Sequence, residues 1–201
     1  MEIYPDCRVI AKSIEVGGLT KWQLIQKLQE HSISMNQYGE KLLSDDKFIT
    51  SETKYSLKTV ELAVRNLGFP DGATMPQLIK QANKLGLELC PLEVGPYLRL
   101  EYLDQAEGDS GNSLQQNQAP SGSITIASEI VSDDDNFPKG FYLRKIDGVL
   151  WLRGYLADDL HSWNPDDQFI FSKSEKMNRR GDKNDGITKN NREKHRRSHS
   201  T

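Results

Sequence analysis

Cysteine is scarce. The 201 residues hold only Cys7 and Cys90, too few for a disulfide framework or a cysteine-only zinc site. Two reduced thiols fit a cytoplasmic protein, which is the expected location. Long apolar runs are missing as well. No stretch approaches the roughly eighteen residues of a membrane-spanning helix, so no membrane association is expected. The opening Met1-Glu2-Ile3-Tyr4-Pro5-Asp6 has neither a basic nor an apolar region, and no secretory signal is expected there.

The common catalytic signatures are absent too. No glycine is followed by lysine, which removes the phosphate-cradling GxxxxGK[ST] loop. No two glycines are separated by a single residue, so GxGxxG cannot occur. There is no HExxH and no Gly-x-Ser-x-Gly elbow. Nothing in the sequence calls for a cofactor or a metal.

Charge is unevenly spread. Residues 173–201 carry ten Lys or Arg against four acids, or +6. Residues 1–172 hold 16 basic and 25 acidic side chains, or −9. The tail's only large apolar residues are Met177 and Ile187, too few to offset the entropy of ordering, so the reading is a disordered basic tail. Its Arg179, Arg180, Arg192, Lys194, Arg196 and Arg197 suit phosphate or acidic-protein contacts, and a merely solvated terminus is the plain alternative.

The body, 1–172, reads as one α+β domain, with a helical lobe over about 1–90 and a β lobe over about 91–172. Thr20 with Gln23 makes a capping box for a helix running to about His31, its apolar face drawn from Trp22, Leu24, Ile25 and Leu28. A second helix starts at Ser34 or at Asn36. Residues 55–67 fit a helix or a strand, and Tyr55, Thr59, Val60 and Val64 favour the strand. Thr74 and Gln77 repeat the capping box, with Pro76 in the first turn and Gly86 as the stop.

After Cys90-Pro91 the pattern alternates. Leu98, Leu100 and Tyr102 oppose Tyr97, Arg99 and Glu101, which predicts a strand. Residues 105–122, rich in Gln, Asn, Ser and Gly, read as a flexible loop, either a lid or an idle insertion. Strands are expected at 123–128, 140–146, 149–156 and 168–172. The fold class is α+β, with helices of the first half packed on a mainly antiparallel sheet of the second.

Asp147-Gly148 between two alternating runs predicts a type I′ hairpin. That turn sets Ile146 opposite Val149, Arg144 opposite Trp151 and Tyr142 opposite Arg153. Lys145 then faces Leu150, Leu143 faces Leu152 and Phe141 faces Gly154. Phe141, Leu143, Leu150 and Leu152 share a core face. Tyr142, Arg144, Trp151, Arg153 and Tyr155 share the other, where guanidiniums lie among rings. Arg99, His161 and Trp163 are candidate extensions of it. Such a face suits an anionic or π-bearing partner, protein or nucleic acid, or else it is packing.

The segment 158–167 holds four carboxylates (Asp158, Asp159, Asp166, Asp167) and His161, but its spacing matches no calcium loop, and turn chemistry explains it equally. Asp133–Asp135 reads as a solvated loop. Two functions of different class follow. One is a binding module working through the hairpin face. The other is an enzyme for a compact anionic substrate, held by Arg144 and Arg153, with His161 and Asp158 or Asp159 moving protons. Oligomeric state is not legible.

Three segments carry a resemblance. They are Leu67-Gly68-Phe69-Pro70-Asp71-Gly72-Ala73-Thr74, Leu87–Glu93, and above all Gly140–Tyr155. Through them the chain resembles, over roughly 20–172, a family of small uncharacterised bacterial proteins, some of which bear the label helicase. The resemblance implies no active site. A helicase motor needs a phosphate loop and usually paired motor domains, so it implies at most a protein that accompanies such a machine.

Overall fold

The computed structural model describes residues 10–109 and 119–173. The chain begins with strand β1 (Ile10–Val16), helix α1 (Lys21–Glu30), the short β2 (Ser34–Met35) and α2 (Gln37–Ser44). Next come β3 (Tyr55–Ala63), a 3-10 turn (Val64–Leu67), β4 (Ala73–Thr74), α3 (Met75–Lys84), β5 (Leu87–Glu88) and α4 (Val94–Glu101). The remainder is β6 (Ile124–Ile126), β7 (Gly140–Ile146), β8 (Val149–Tyr155), β9 (Ser162–Trp163) and β10 (Gln168–Lys173). The fold is α+β. Seven strands run in the order β1-β3-β10-β6-β7-β8-β2, with β5 also paired to β10 and β4 paired separately to β9. Among the described strands, β10–β6 and β2–β8 pair in parallel and the other strand pairs are antiparallel.

Local signals explain most of these elements. Thr20 and Thr74 start α1 and α3 with capping boxes. Asn36, the second of the two possible starts, caps α2, while Ser34 belongs to β2. The 55–67 segment resolves as a strand to Ala63 that tightens into a 3-10 turn. Trp22 is a correction. It is 65% exposed, because at about 100° per residue it lies some 200° around the helix from Leu24, which with Leu28 makes the buried stripe.

The predicted strand over 97–102 is a second correction, since these residues belong to α4 and its C-cap. Val94 through Arg99 are all buried. A helix enclosed on every side has no polar face, so its sequence loses the 3.6-residue period and a chance alternation takes its place. The split into halves is also looser than expected: β1 and β3 join the sheet from the first half, and α4 arises in the second. The basic tail from residue 174 onward and the middle of the Gln/Asn loop lie outside the described residues.

The sheet separates two cores. On one side α1, α2 and α4 bury Leu24, Leu28, Leu42, Val94 and Leu98 against Phe141, Leu143 and Leu152. On the other, α3 brings Leu78 and Ala82 onto Leu62, Phe169 and Phe171. The helices pack closely on the hairpin. A Cβ at Gly95 would lie 2.6 Å from the Phe141 ring. At Gly154 it would lie 2.6 Å from the Tyr38 carbonyl carbon.

Candidate functional site

The hairpin has the register its turn dictates. Ile146–Val149, Lys145–Leu150, Arg144–Trp151, Leu143–Leu152, Tyr142–Arg153 and Phe141–Gly154 are all paired. Asp147 (φ 50°) and Gly148 (φ 77°) both take the left-handed backbone of a type I′ turn. The Glu107 carboxylate accepts from the Gly148 N–H at 2.9 Å and lies 3.9 Å from Lys145 Nζ, holding the tip.

Because strand neighbours share a face, one row crosses the sheet as Arg153, Tyr142, Thr125, Phe169 and Leu62. At the Leu62–Phe169 end this row belongs to the core under α3. Trp163 marks the boundary, edge-on to Phe169 at 5.0 Å and to Tyr155 at 5.5 Å. Past it, Tyr142, Arg144, Trp151 and Arg153 are all half-buried on the side of the sheet away from α2 and α4.

The two arginines do different work. Arg144 donates from Nε to the Ser121 carbonyl at 3.2 Å and from Nη2 to the Asp109 carbonyl at 2.9 Å. It clasps the two described ends of the Gln/Asn loop to β7. Arg153 sits among rings, its guanidinium carbon 5.0 Å from the Trp151 centroid and 6.0 Å from that of Tyr142. Its Nε is buried without a partner, and it forms no ion pair among the described residues. Burial raises the Tyr142 phenol, while Arg153 and Arg144 pull it back down.

Two of the predicted extensions are corrections. Arg99 is fully buried in α4, where it donates to the Tyr102 carbonyl and the Gln105 side chain. Burial lowers its pKa to about 10, with Asp104 acting in the opposite direction. Trp163 is 5% exposed and is core. The strand reading of 97–102 misplaced the first. The second was missed because a two-residue strand gives no periodicity.

His161 stays half-exposed, edge-on to Trp163 at 4.7 Å. It lines a cavity of about 370 Å³ with Asp135, Asp158 and Leu160, and neither arginine reaches that space. His161 and the two arginines therefore do not line a common cavity among the described residues. The acidic loop is used for turns: Asp158 accepts from the Leu160 N–H, and Asp167 from the Asn164 N–H. No cluster of three or more His, Cys, Asp or Glu among the described residues is placed to hold a metal.

Burial lowers the His161 pKa, with Asp158 opposing it. The unfolded chain then binds more protons than the folded one below the ordinary histidine range, so this residue's contribution to stability rises with pH. His161→Phe, which keeps a ring against Trp163, is expected to flatten the rise in urea midpoint between about pH 5 and pH 7. A slope equal to that of the wild type would show that His161 titrates alike in both states.

No family model, curated protein or solved structure matches this chain. The site stands on its own geometry. No helix among the described residues is long and apolar enough to cross a membrane.

Proposed function

We propose that the protein is a cytoplasmic binding module whose recognition surface is the Tyr142/Trp151/Arg153 face of the β7–β8 hairpin. One observation carries the reading: a guanidinium on the side of the sheet away from α2 and α4 is flanked by two rings and forms no ion pair among the described residues. A cation held this way is oriented in advance, so a planar or anionic partner group meets charge and π-surface together. Arg144 supports the face by tying the neighbouring loop ends and is not itself a recognition group.

The net −9 of residues 1–172 opposes a long phosphate footprint, so an aromatic segment of another protein, met over a short contact, suits the folded body better than nucleic acid does. Capture from lysate with and without nuclease separates the two. A protein partner gives a band that survives nuclease and weakens with Arg153→Met. If all capture disappears with nuclease, and if without nuclease removing the chain after Ser172 reduces the salt dependence of capture, the protein-partner reading fails and nucleic acid replaces it. Capture equal in wild type and Arg153→Met would remove the hairpin face from either reading.

A further inference from the structure

A second feature lies past Tyr155. Met75, Pro76 and Ile79 of α3, with Leu89, Ile130 and Tyr155, line an apolar pit of about 160 Å³. A dry apolar cavity of about 150 Å³ admits one benzene ring, so the pit has room for a single small ring. Tyr142, Trp151 and Arg153 do not line it, which makes it separate from the recognition face of the hairpin.

The pit is polar at both ends. Ser128 forms part of the wall, and its Oγ is buried without a hydrogen-bond partner among the described residues. The Tyr155 hydroxyl lies close by: a Cβ on Gly140 would come within 3.0 Å of Ser128 Oγ and 3.3 Å of Tyr155 Oη. Asp158 and Asp159, both exposed, stand at the mouth. Lys139, the one cation among the lining residues, is already engaged by the Ser132 and Asp134 carbonyls at 3.2 and 3.1 Å and by Asp135 at 3.7 Å. The mouth is therefore acidic, the middle apolar and the buried end hydroxylic.

Each part selects a chemical group. A buried hydroxyl with no partner destabilises the free protein, and a ligand that supplies the partner recovers that loss. The Met75 thioether and the Tyr155 ring make favourable contacts with an aromatic ring. Carboxylates at the mouth attract a cation and repel an anion. We infer that the pit binds a compact hydroxyaryl-alkylamine, with its ring between α3 and Tyr155, its ring hydroxyl at Ser128 Oγ and its ammonium toward Asp158 and Asp159. This site is independent of any partner on the hairpin face.

The test titrates full-length protein carrying ¹³C-methyl methionine with tyramine, with phenethylamine, which lacks the ring hydroxyl, and with hydroxyphenylpropionate, which carries a carboxylate in place of the ammonium. Met75 lines the pit, while Met35 packs in the core on the other side of the sheet and serves as the control. Tyramine is expected to shift the Met75 methyl and leave Met35 in place. Phenethylamine is expected to bind about fivefold more weakly, as for one lost hydrogen bond. Hydroxyphenylpropionate is expected to bind more weakly by about the same factor, as for an exposed charge pair. Ser128→Ala is expected to abolish the preference for the ring hydroxyl while leaving the urea midpoint unchanged or higher, because the hydroxyl it removes has no partner in the free protein. Asp158→Asn combined with Asp159→Asn is expected to abolish the preference for the amine. A Met75 methyl that none of the three compounds moves would overturn the inference. So would equal affinity for the amine and the carboxylate, a hydroxyl preference that survives Ser128→Ala, or shifts at Met35 as large as those at Met75.

Discussion

Gly154→Val is expected to cost about 3 kcal/mol or more, the upper end of what forced overpacking costs. With an m-value of about 1–3 kcal/mol/M, that lowers the urea midpoint by about 1–3 M. The reason lies in what Gly154 touches. A Cβ there meets backbone, not yielding side chains: the Tyr38 carbonyl carbon at 2.6 Å and the Gly39 nitrogen at 2.7 Å. Asn36 locks the same contact. Its Oδ1 accepts from the N–H groups of Gly39 and Gly154, both at 2.9 Å, and its Nδ2 donates to the Gly154 carbonyl at 3.0 Å. One side chain thus caps α2 and seats it on β8. Neither α2 nor β8 can shift to admit a valine without breaking that lock. Gly68 supplies the contrast. Its φ is +94° but a Cβ there meets nothing within 4 Å, so Gly68→Ala carries only the left-handed penalty of about 1–2 kcal/mol. If Gly154→Val costs no more than Gly68→Ala, α2 is not seated as described.

The second large effect is on binding. Arg153→Met keeps an unbranched stem between the Tyr142 and Trp151 rings and removes the guanidinium with its charge and N–H donors. The cation–π contribution lost to folding is about 0.5–1 kcal/mol at so open a site. A central arginine in an interface is worth about 2 kcal/mol or more on truncation, close to 30-fold in affinity. Trp151→Ala is expected to act the same way on the partner. It costs the fold somewhat more, because it also deletes a cross-strand pair with Arg144 and the ring that shelters Arg153. Arg144 variants test a different matter. Losing its bonds to the Ser121 and Asp109 carbonyls frees the loop ends, so any effect on binding there would be indirect.

The hairpin was legible because a two-residue turn with both residues left-handed fixes register, and register fixes which side chains share a face. The capped helices α1 and α3 were legible for a similar reason: Thr–x–x–Gln acts within four residues and needs no tertiary partner. What failed depended on distant contacts. The enclosure of α4 erased its period, and that placed Arg99 on a surface when it belongs to the interior. The separate fates of Arg144 and Arg153 were hidden because they differ only in whether the carbonyls of Asp109 and Ser121 come within reach. The Asn36–Gly154 lock joins residues 118 positions apart, and no local signal encodes it.

The most direct test places stability and capture on one preparation. Wild type and Arg153→Met are compared for urea midpoint and for affinity toward the same isolated partner. The account predicts stabilities within about 1 kcal/mol of each other and affinity reduced by about 30-fold. An affinity left unchanged beside an intact fold, or a variant that simply unfolds, would show that the guanidinium between the rings serves the fold and not a partner.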